Sequence, residues 1–353
     1  MAEVFPQADL YSLTMNPESG LDFGGRQVTT TFLDRIAPLK DRHALQLPMM
    51  PLAWRYATRR RYDVVVSSSH ACAKGFWPGR SALHLCYCYT PMRYVWLSDL
   101  DRRKRPDPIT RAGEKVLRAW DLRSVGWVDE FAGISNEVVK RIERYYHRPA
   151  RLIFPPVDTD FYTPGDPSDK KDFALAVSRL VPYKRLDLAI RACAAVGSPL
   201  VIAGWGPQEV QLRELAAEVR AQVEFVTNPT DEMLRDLYRT ARVSLFPAEE
   251  DFGIVAVESQ ACGTPVVALG RAGSLDTVVD GVTGAHIAEQ TVGEMVAGIK
   301  RVFDGQMSAA DCRSNAERFS AANFRTEFGE WVSSAAARAG FDLRFNGEGD
   351  EIA

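Results

Sequence analysis

The sequence lacks the features that place a protein in a membrane or direct it out of the cell. No apolar run approaches the roughly 20 residues that a spanning helix needs. The first nine residues show neither the basic start nor the apolar core of a signal peptide. These absences predict a cytoplasmic protein, and peripheral contact with the inner membrane stays an open alternative.

The chain also lacks a charge excess and a metal-binding cysteine pattern. Lys and Arg total 43 against 46 Asp and Glu, a net charge of −3, so no global attraction for nucleic acid is expected. Six cysteines are present, and Cys86 and Cys88 lie two residues apart without a second pair at zinc spacing. Reduced thiols in the core of a cytoplasmic protein are therefore expected.

What is present is an ordinary globular composition of 353 residues, 46% apolar and 25% charged. That length predicts about two domains. Beyond residue 173, apolar runs alternate regularly with helical patterns, which indicates a doubly wound parallel sheet. Strands are predicted at 173–177, 200–203, 223–226, 243–246 and 266–269, and helices at 186–196, 208–220, 231–240, 254–262, 291–303, 313–318 and 324–337.

The first half of the chain is less regular. Its predicted strands are 8–13, 64–66, 83–89, 131–135 and 150–154, and its predicted helices are 51–61, 111–124 and 136–146. Residues 28–36 fit neither pattern clearly. Ser67, Ser68 and Ser69 come directly after an apolar run, so they are expected to open a site-type loop.

Residues 243–269 form one strand, polar loop, helix and strand. In a parallel sheet the loop then lies at the carboxyl ends of the strands, where such sheets bind ligands. The loop holds Glu250, and Glu258 follows two turns into the helix. The amides of Gly253 and Ile254 would be free donors of the helix's first turn. This combination suits a ligand with sugar hydroxyls and an anionic group.

The spacing Glu250-x7-Glu258, with Phe252-Gly253 inside it and Gly-Thr-Pro-Val at 263–266, resembles the retaining glycosyltransferases of family 4. The resemblance implies an α/β protein of the GT-B fold, with two Rossmann-like doubly wound domains facing a cleft. Residues 1–160 would form an acceptor-side domain and 161–322 a sugar-nucleotide-binding domain. Residues 323–340 would form a helix that returns to the first domain, and 341–353 a tail.

The same resemblance implies the site residues. The loop Ser-Ser-His-Ala-x-Ala-Lys-Gly at 68–75 matches a family loop whose histidine lies against the donor sugar. Arg-Leu-x-x-x-Lys from Arg179 matches a strand end whose two cations contact a diphosphate. The expected catalytic residues are His70 and Glu250, and the expected donor-binding residues are Arg179, Lys184, Phe252, Gly253, Ile254 and Glu258.

Several other segments are interpreted as structural or depart from the family. Gly-Trp-Gly-Pro at 204–207 resembles a family loop in which glycine permits close backbone approach. Residues 155–165, bounded by prolines, are the expected linker, and Asp158 and Asp160 inside it are interpreted as structural. Tyr89 stands where the family often has histidine, and no role is assigned to Asp276.

The basic run at 102–105 is predicted to be a solvated face, with a patch for anionic lipid headgroups as the alternative.

Family members open with a strand, a Gly-Gly loop and a helix, and this sequence shows none of them. A start site chosen too far downstream and a loss of part of the site are both open. A sheet without that strand would expose an unpaired edge.

Residues 178–185 and the loop at 68–75 resemble those of mannosyltransferases of bacterial surface-polysaccharide assembly. That resemblance implies transfer of a hexose, with GDP-mannose as the donor, to a glycan or lipid-linked glycan acceptor in polysaccharide biosynthesis. The family resemblance implies that no metal is required, and no cofactor is expected, because the sugar nucleotide is a co-substrate. The alternatives are a UDP-sugar-dependent hexosyltransferase, a sugar-nucleotide epimerase, and a non-catalytic scaffold subunit.

Overall fold

A computed structural model describes residues 1–16, 23–36, 43–77, 79, 81–96, 108–305 and 307–343. The chain divides into two compact units. Unit 1 consists of Met1–Ile134, Val138–Ile153 and Arg325–Ala353, and unit 2 of Ser135–Glu137 and Phe154–Phe324. Each unit has its own parallel β-sheet, so each is described separately.

Unit 2 is built on a six-stranded parallel sheet in the order β12-β11-β10-β7-β8-β9. Its strands are β7 (Ala174–Val177), β8 (Leu200–Ala203), β9 (Val223–Val226), β10 (Val243–Phe246), β11 (Val266–Leu269) and β12 (Gly284–Ile287). Strands β8, β10 and β11 are buried along their whole length. A parallel sheet is covered on both faces, which explains why these strands are continuous apolar runs.

The helices of unit 2 begin and end at recognisable caps. They are α6 (Leu186–Val196), α7 (Glu209–Glu218), α8 (Asp231–Thr240), α9 (Ile254–Ala261), α10 (Ser274–Thr277), α11 (Val292–Asp304) and α12 (Ala309–Glu317). The hydroxyls of Thr230, Thr291 and Ser308 accept hydrogen bonds from backbone amides at the starts of α8, α11 and α12. Gly197 ends α6 in the left-handed conformation, at φ +69°.

Unit 1 contains a two-stranded and a four-stranded parallel sheet. The first pairs β1 (Leu10–Ser12) with β2 (Val28–Thr30), and the second runs in the order β3 (Val64–Ser69), β4 (Leu83–Cys88), β5 (Glu130–Gly133), β6 (Ala150–Leu152). Among the described residues before 150, the helices of unit 1 are α1 (His43–Gln46), α2 (Met50–Arg55), α3 (Arg93–Trp96), α4 (Pro108–Val125) and most of α5 (Asn136–Tyr146).

The last helix, α13 (Ala321–Arg338), belongs to unit 1 from Arg325 onward. On this helix Phe328 packs edge-on against Tyr87 of β4, with ring centroids 5.9 Å apart. The indole of Trp331, buried in the same region, donates to Glu130 at 3.1 Å. These contacts make the helix part of the unit 1 core.

The structure corrects three predictions of secondary structure. Strand β3 continues through Ser67, Ser68 and Ser69, so these serines are strand residues and do not open the loop. The buried Ser67 hydroxyl lies 3.1 Å from Nε2 of His84 on β4, which gives a polar side chain a partner inside the sheet. Helix α2 ends at Arg55 rather than 61, and strand β12 and helix α10 were not predicted.

The remaining predictions concern the basic run, the tail, the cysteines and the linker. The basic run at 102–105 and residues 344–353 of the predicted tail lie outside the described residues. All six cysteines are free and buried, as expected of core thiols. Asp158 accepts the amide of Phe161 at 2.9 Å, a local structural role. Among the described residues, no helix is both long and apolar enough to span a bilayer.

Candidate functional site

The crevice of unit 2 is located by its strand order. From β7 the chain proceeds outward to β8 and β9, and then returns to place β10 on the other side of β7. Strands β7 and β10 are parallel neighbours, with Val243 paired to Ala174. Connections that leave two neighbouring strands in opposite directions open a crevice at their carboxyl ends, the usual ligand site of such sheets. The loops after β7 and β10 carry the predicted donor-binding residues.

The loop after β7 carries the two predicted cations. Arg179 is exposed, and its guanidinium donates to the Tyr183 hydroxyl at 3.5 Å. Lys184 ends a short 3-10 helix, Pro182–Lys184, and its side chain is only 11% exposed. The following residue, Arg185, has φ 54° and is anchored by Asp187 at 3.1 Å. The two cations are therefore on the same loop, one in solvent and one in the crevice.

The neighbouring loop after β8 holds this segment in place by backbone contact. Gly204 has φ +138°, and a Cβ there would lie 1.9 Å from the carbonyl oxygen of Ser178. Gly206 has φ +158°, and a Cβ there would lie 2.6 Å from the carbonyl oxygen of Leu180. Only glycine permits such approach. The close approach inferred for the Gly-x-Gly-Pro segment is thus made to the loop of Arg179.

The loop after β10 turns sharply into helix α9. Gly253, the residue before the helix, has φ +91°, and a Cβ there would lie 3.0 Å from the Phe246 ring. The Glu250 carbonyl accepts the amide of Gly273 at 2.9 Å. At Gly273 a Cβ would lie 2.4 Å from Cα of Phe252. The close packing of these two loops fixes the backbone on both sides of Glu250.

The structure brings Lys184 and Glu250 into direct contact. The Lys184 ammonium forms an ion pair with Glu250 Oε1, and the two side chains are 11% and 22% exposed. Sequence reasoning placed these residues on different parts of a ligand, the diphosphate and the sugar, and did not anticipate their contact. The pair joins the carboxyl ends of β7 and β10 across the crevice.

Phe252, another predicted donor-binding residue, is packed into the unit 2 core. Its ring is 5% exposed and lies 6.1 Å from the ring of Phe154 and 5.5 Å from that of Phe319. The Phe252 side chain therefore holds the loop in place and is not exposed for ligand contact. Ile254, by contrast, is 44% exposed at the start of α9.

Glu258 lies one helical turn further into α9 and has a partner that sequence reasoning missed. The hydroxyl of Tyr238, a fully buried residue of α8, donates to Glu258 Oε2 at 3.0 Å. Burial raises the pKa of Glu258 to about 7, although the Tyr238 hydrogen bond opposes the rise. A single tyrosine on an amphipathic helix carries no local signal of this contact.

A second missed residue supports the same crevice. The side-chain amide of Gln290 donates to the carbonyl oxygen of Pro247 at 2.8 Å, directly after β10. Its oxygen accepts from Arg185 at 3.5 Å. Gln290 thus connects the loops that carry Lys184 and Glu250, and its position in the sequence, after an unpredicted strand, gave no indication of this.

His70 belongs to unit 1. It follows Ser69, the last residue of β3, and is exposed, whereas Ser69 and Ala71 on either side of it are buried. The short 3-10 helix Ala73–Gly75 completes the loop. The predicted contact of His70 with a donor sugar stays a prediction.

Comparison with known proteins finds a matching family and several curated relatives. Residues 161–319 match the family described as glycosyl transferases group 1. The chain is 36% identical over 282 residues to D-inositol 3-phosphate glycosyltransferase of Mycolicibacterium smegmatis, covering 72% of this chain and 63% of that protein. It is 31% identical over 323 residues to the enzyme of that name from Mycobacterium bovis BCG Pasteur, covering 79% and 65%. The chain thus spans less than two thirds of the length of these curated relatives.

Solved structures show the same fold. Sucrose-phosphate synthase from Thermosynechococcus elongatus matches with a TM-score of 0.75 at 18% identity, over 94% of this chain and 89% of that one. Anabaena HepE in complex with UDP and glucose matches with a TM-score of 0.64 at 18% identity, over 88% and 86%. The chain has the α/β fold of the GT-B glycosyltransferases, and its residues 161–319, which contain the crevice, match the glycosyl transferases group 1 family.

Proposed function

We propose that this protein is a retaining glycosyltransferase that moves a hexose from a sugar nucleotide to a hydroxyl of an acceptor. The observation that carries the proposal is the Lys184–Glu250 contact at the carboxyl ends of β7 and β10. It places one cation and one carboxylate in a crevice flanked by glycine loops and the start of a helix. A ligand with an anionic diphosphate and a hydroxyl-bearing sugar fits both charges.

In this proposal the diphosphate binds at Lys184 and Arg179. When the bond between the sugar and the phosphate breaks, its electron pair goes to the phosphate oxygen, and negative charge grows there. A lysine ammonium and an arginine fork beside that oxygen stabilise the departing group. The phosphate also competes with Glu250 for the ammonium, so binding releases the carboxylate toward the sugar hydroxyls.

The sugar is oriented by Glu250 together with the backbone from Phe252 to Ile254. Carboxylates accept hydrogen bonds from sugar hydroxyls, and free amides at the start of α9 donate to ligand oxygens. Glu258 accepts from the ribose hydroxyls. The acceptor hydroxyl attacks on the face that the phosphate leaves, and its proton passes to the departing phosphate, so the configuration at the sugar is retained. His70 is assigned to the sugar, and no metal is required.

GDP-mannose is the first donor to test, with a glycan or lipid-linked glycan as the acceptor in polysaccharide biosynthesis. The second is a UDP-sugar, since none of the residues discussed identifies the base. The name of the mycobacterial relatives adds D-inositol 3-phosphate as a candidate acceptor. Peripheral contact with anionic membrane stays part of the proposal for a lipid-linked acceptor.

The experiment is a thermal-shift panel of GDP, UDP and ADP, with their sugars and with or without EDTA, followed by transfer assays. One nucleotide alone is expected to raise the melting temperature. Lys184→Ala and Glu250→Ala are expected to abolish transfer and to change the melting temperature by no more than about 3 °C, because both side chains reach solvent and water can solvate the charge that remains. Exposed Lys300→Ala and Glu218→Ala are the matched controls. Near-normal turnover in either site variant would show that the site is misassigned.

The rivals make different predictions in the same assays. Hydrolysis or sugar inversion without an acceptor would favour an epimerase. A nucleotide shift without any transfer would favour a scaffold subunit, and then expression with any in-frame upstream codons is the decisive comparison. Recovery of transfer in the longer chain would eliminate the scaffold proposal.

A further inference from the structure

Unit 1 contains a fully buried ion pair behind the loop that carries His70. Lys74, 2% exposed, forms an ion pair with Asp121 of α4, which is 0% exposed. Charged side chains are almost never buried so completely unless they are paired. The pair lies outside the nucleotide crevice described in unit 2.

The pair is held by partners from four segments. The Lys74 ammonium also donates to the carbonyl oxygen of Ala71 at 3.4 Å, and Asp121 Oδ2 accepts from the indole of Trp96 at 2.8 Å. The ammonium lies 5.1 Å from the Tyr146 ring centroid and 5.8 Å from that of Trp120. The cation thus has a carboxylate, a carbonyl and two aromatic faces around it.

The loop itself is pressed against α4. A Cβ at Gly75 would lie 2.6 Å from the Trp120 ring, so the backbone next to Lys74 is in close contact with the helix. The Ala71 carbonyl, one residue after His70, accepts from Lys74 and also from the Ser69 hydroxyl at 3.4 Å. Ser69 and Ala71, the two neighbours of the exposed histidine, are thus hydrogen-bonded to each other, and the Ala71 carbonyl is held by Lys74.

Stability alone is a poor explanation for such a pair. Replacing a buried ion pair by well-packed apolar residues is often neutral or stabilising, whereas removing one partner leaves an unpaired buried charge. We propose that Lys74 and Asp121 are positioning residues that fix the conformation of His70 for sugar transfer. This inference rests on the proposed function through the role of His70, and on the geometry of unit 1 for the positioning.

The test compares single and double variants. Lys74→Met and Asp121→Leu alone are expected to lower the melting temperature by about 10 °C, because each leaves an unpaired buried charge. The double variant is expected to recover to within about 3 °C of the parent. Its kcat is nevertheless expected to fall at least tenfold, whereas the affinity of the nucleotide identified in the thermal-shift panel stays unchanged.

A second readout follows the histidine directly. The protein has five histidines, so the imidazole NMR signal of His70 can be assigned with His70→Ala. In the double variant this signal is expected to broaden or shift. A double variant with parental melting temperature, kcat and His70 signal would overturn the inference. If the double variant does not fold, Asp121→Asn takes its place, because the asparagine oxygen can still accept from Trp96. Parental kcat and an unchanged His70 signal in Asp121→Asn would then overturn the inference.

The two readouts separate the inference from the function on which it rests. If His70→Ala transfers sugar normally, the catalytic use of His70 fails, and with it a positioning role in transfer, even where the NMR signal moves. If His70→Ala is inactive and the double variant keeps both parental kcat and signal, the assignment of His70 survives and the positioning role of the ion pair fails.

Discussion

Glu258 combines a carboxyl group with an environment that disfavours its charge. Burial is the largest cause of its raised pKa of about 7, and the nearby charge of Asp231 adds to it, whereas the Tyr238 hydroxyl favours the ionised form. Near neutral pH the Glu258 carboxyl group is therefore populated in both its protonated and its ionised form. A ligand that donates hydroxyls to Glu258 would favour the ionised carboxylate and release that proton.

This environment predicts how Glu258 affects stability with pH. The folded-state pKa of Glu258 is raised above the ordinary value of 4.5, so the folded protein binds this proton more tightly than the unfolded chain does. The resulting contribution to the free energy of unfolding is full below pH 4.5 and is lost as the pH rises toward and through 7. Glu258→Gln should therefore gain stability relative to the parent between pH 5 and pH 8, by at most about 3 kcal/mol. Denaturant unfolding at the two pH values measures this gain. The exposed Glu218→Gln is the control, and an equal gain for both variants would contradict the prediction.

At the scale of elements, the crevice depends on loops that touch through their backbones. The loop after β8 lies against the loop after β7 at Gly204, and the loop after β11 lies against the loop after β10 at Gly273. These contacts require glycine, because a Cβ at either position would overlap the neighbouring loop. They transmit the geometry of the sheet to Arg179, Lys184 and Glu250.

Gly204→Ala tests this dependence. The added Cβ meets the Ser178 carbonyl oxygen at 1.9 Å, so the loop after β7 must shift. We expect nucleotide affinity, measured by calorimetry, to fall at least tenfold, which is about 1.4 kcal/mol. Gly293→Ala is the matched control, because a Cβ there meets nothing within 4 Å. Unchanged affinity in Gly204→Ala would show that the loop after β8 does not support the crevice.

Secondary structure in unit 2 was largely readable from the sequence. Strands β8 to β11 and helices α6 and α8 begin and end where the apolar runs and caps predicted. The prediction was poorer where pairing with a neighbouring strand determines the extent of a strand. Strand β3 includes three serines because it pairs with β4 along its whole length. Strand β12 contains glycine and histidine and is a strand through its pairing with β11.

At the scale of the whole molecule, the two units hold buried titratable groups that respond oppositely to acid. His84 in unit 1 is 2% exposed, and its ring nitrogens contact the Trp127 carbonyl at 3.0 Å and Ser67 at 3.1 Å. Burial lowers its pKa to about 4. Glu258 in unit 2 has a raised pKa instead.

Acidification should therefore weaken unit 1. The folded-state pKa of His84 lies below the ordinary 6.5. The contribution of neutral His84 to the free energy of unfolding is therefore present above pH 6.5 and is lost as the pH falls toward 4. Between pH 7.5 and pH 5, His84→Gln should lose less stability than the parent, by about 2 kcal/mol. Exposed His147→Gln is the control. Hydrogen exchange on unit 1 peptides measures the loss, and equal loss in parent and His84→Gln would contradict the assignment.

The sequence by itself determined the strand–helix alternation, the crevice loops and the residues in them that we propose bind a sugar nucleotide. Those features are local, because apolar periodicity, caps and glycine loops act over a few residues. Only the tertiary structure decided that Lys184 contacts Glu250 and that Tyr238 donates to Glu258. These contacts depend on the return of the chain to place β10 beside β7 and on helix packing. Such long-range pairings are set by the burial of whole elements, which no short stretch of sequence specifies.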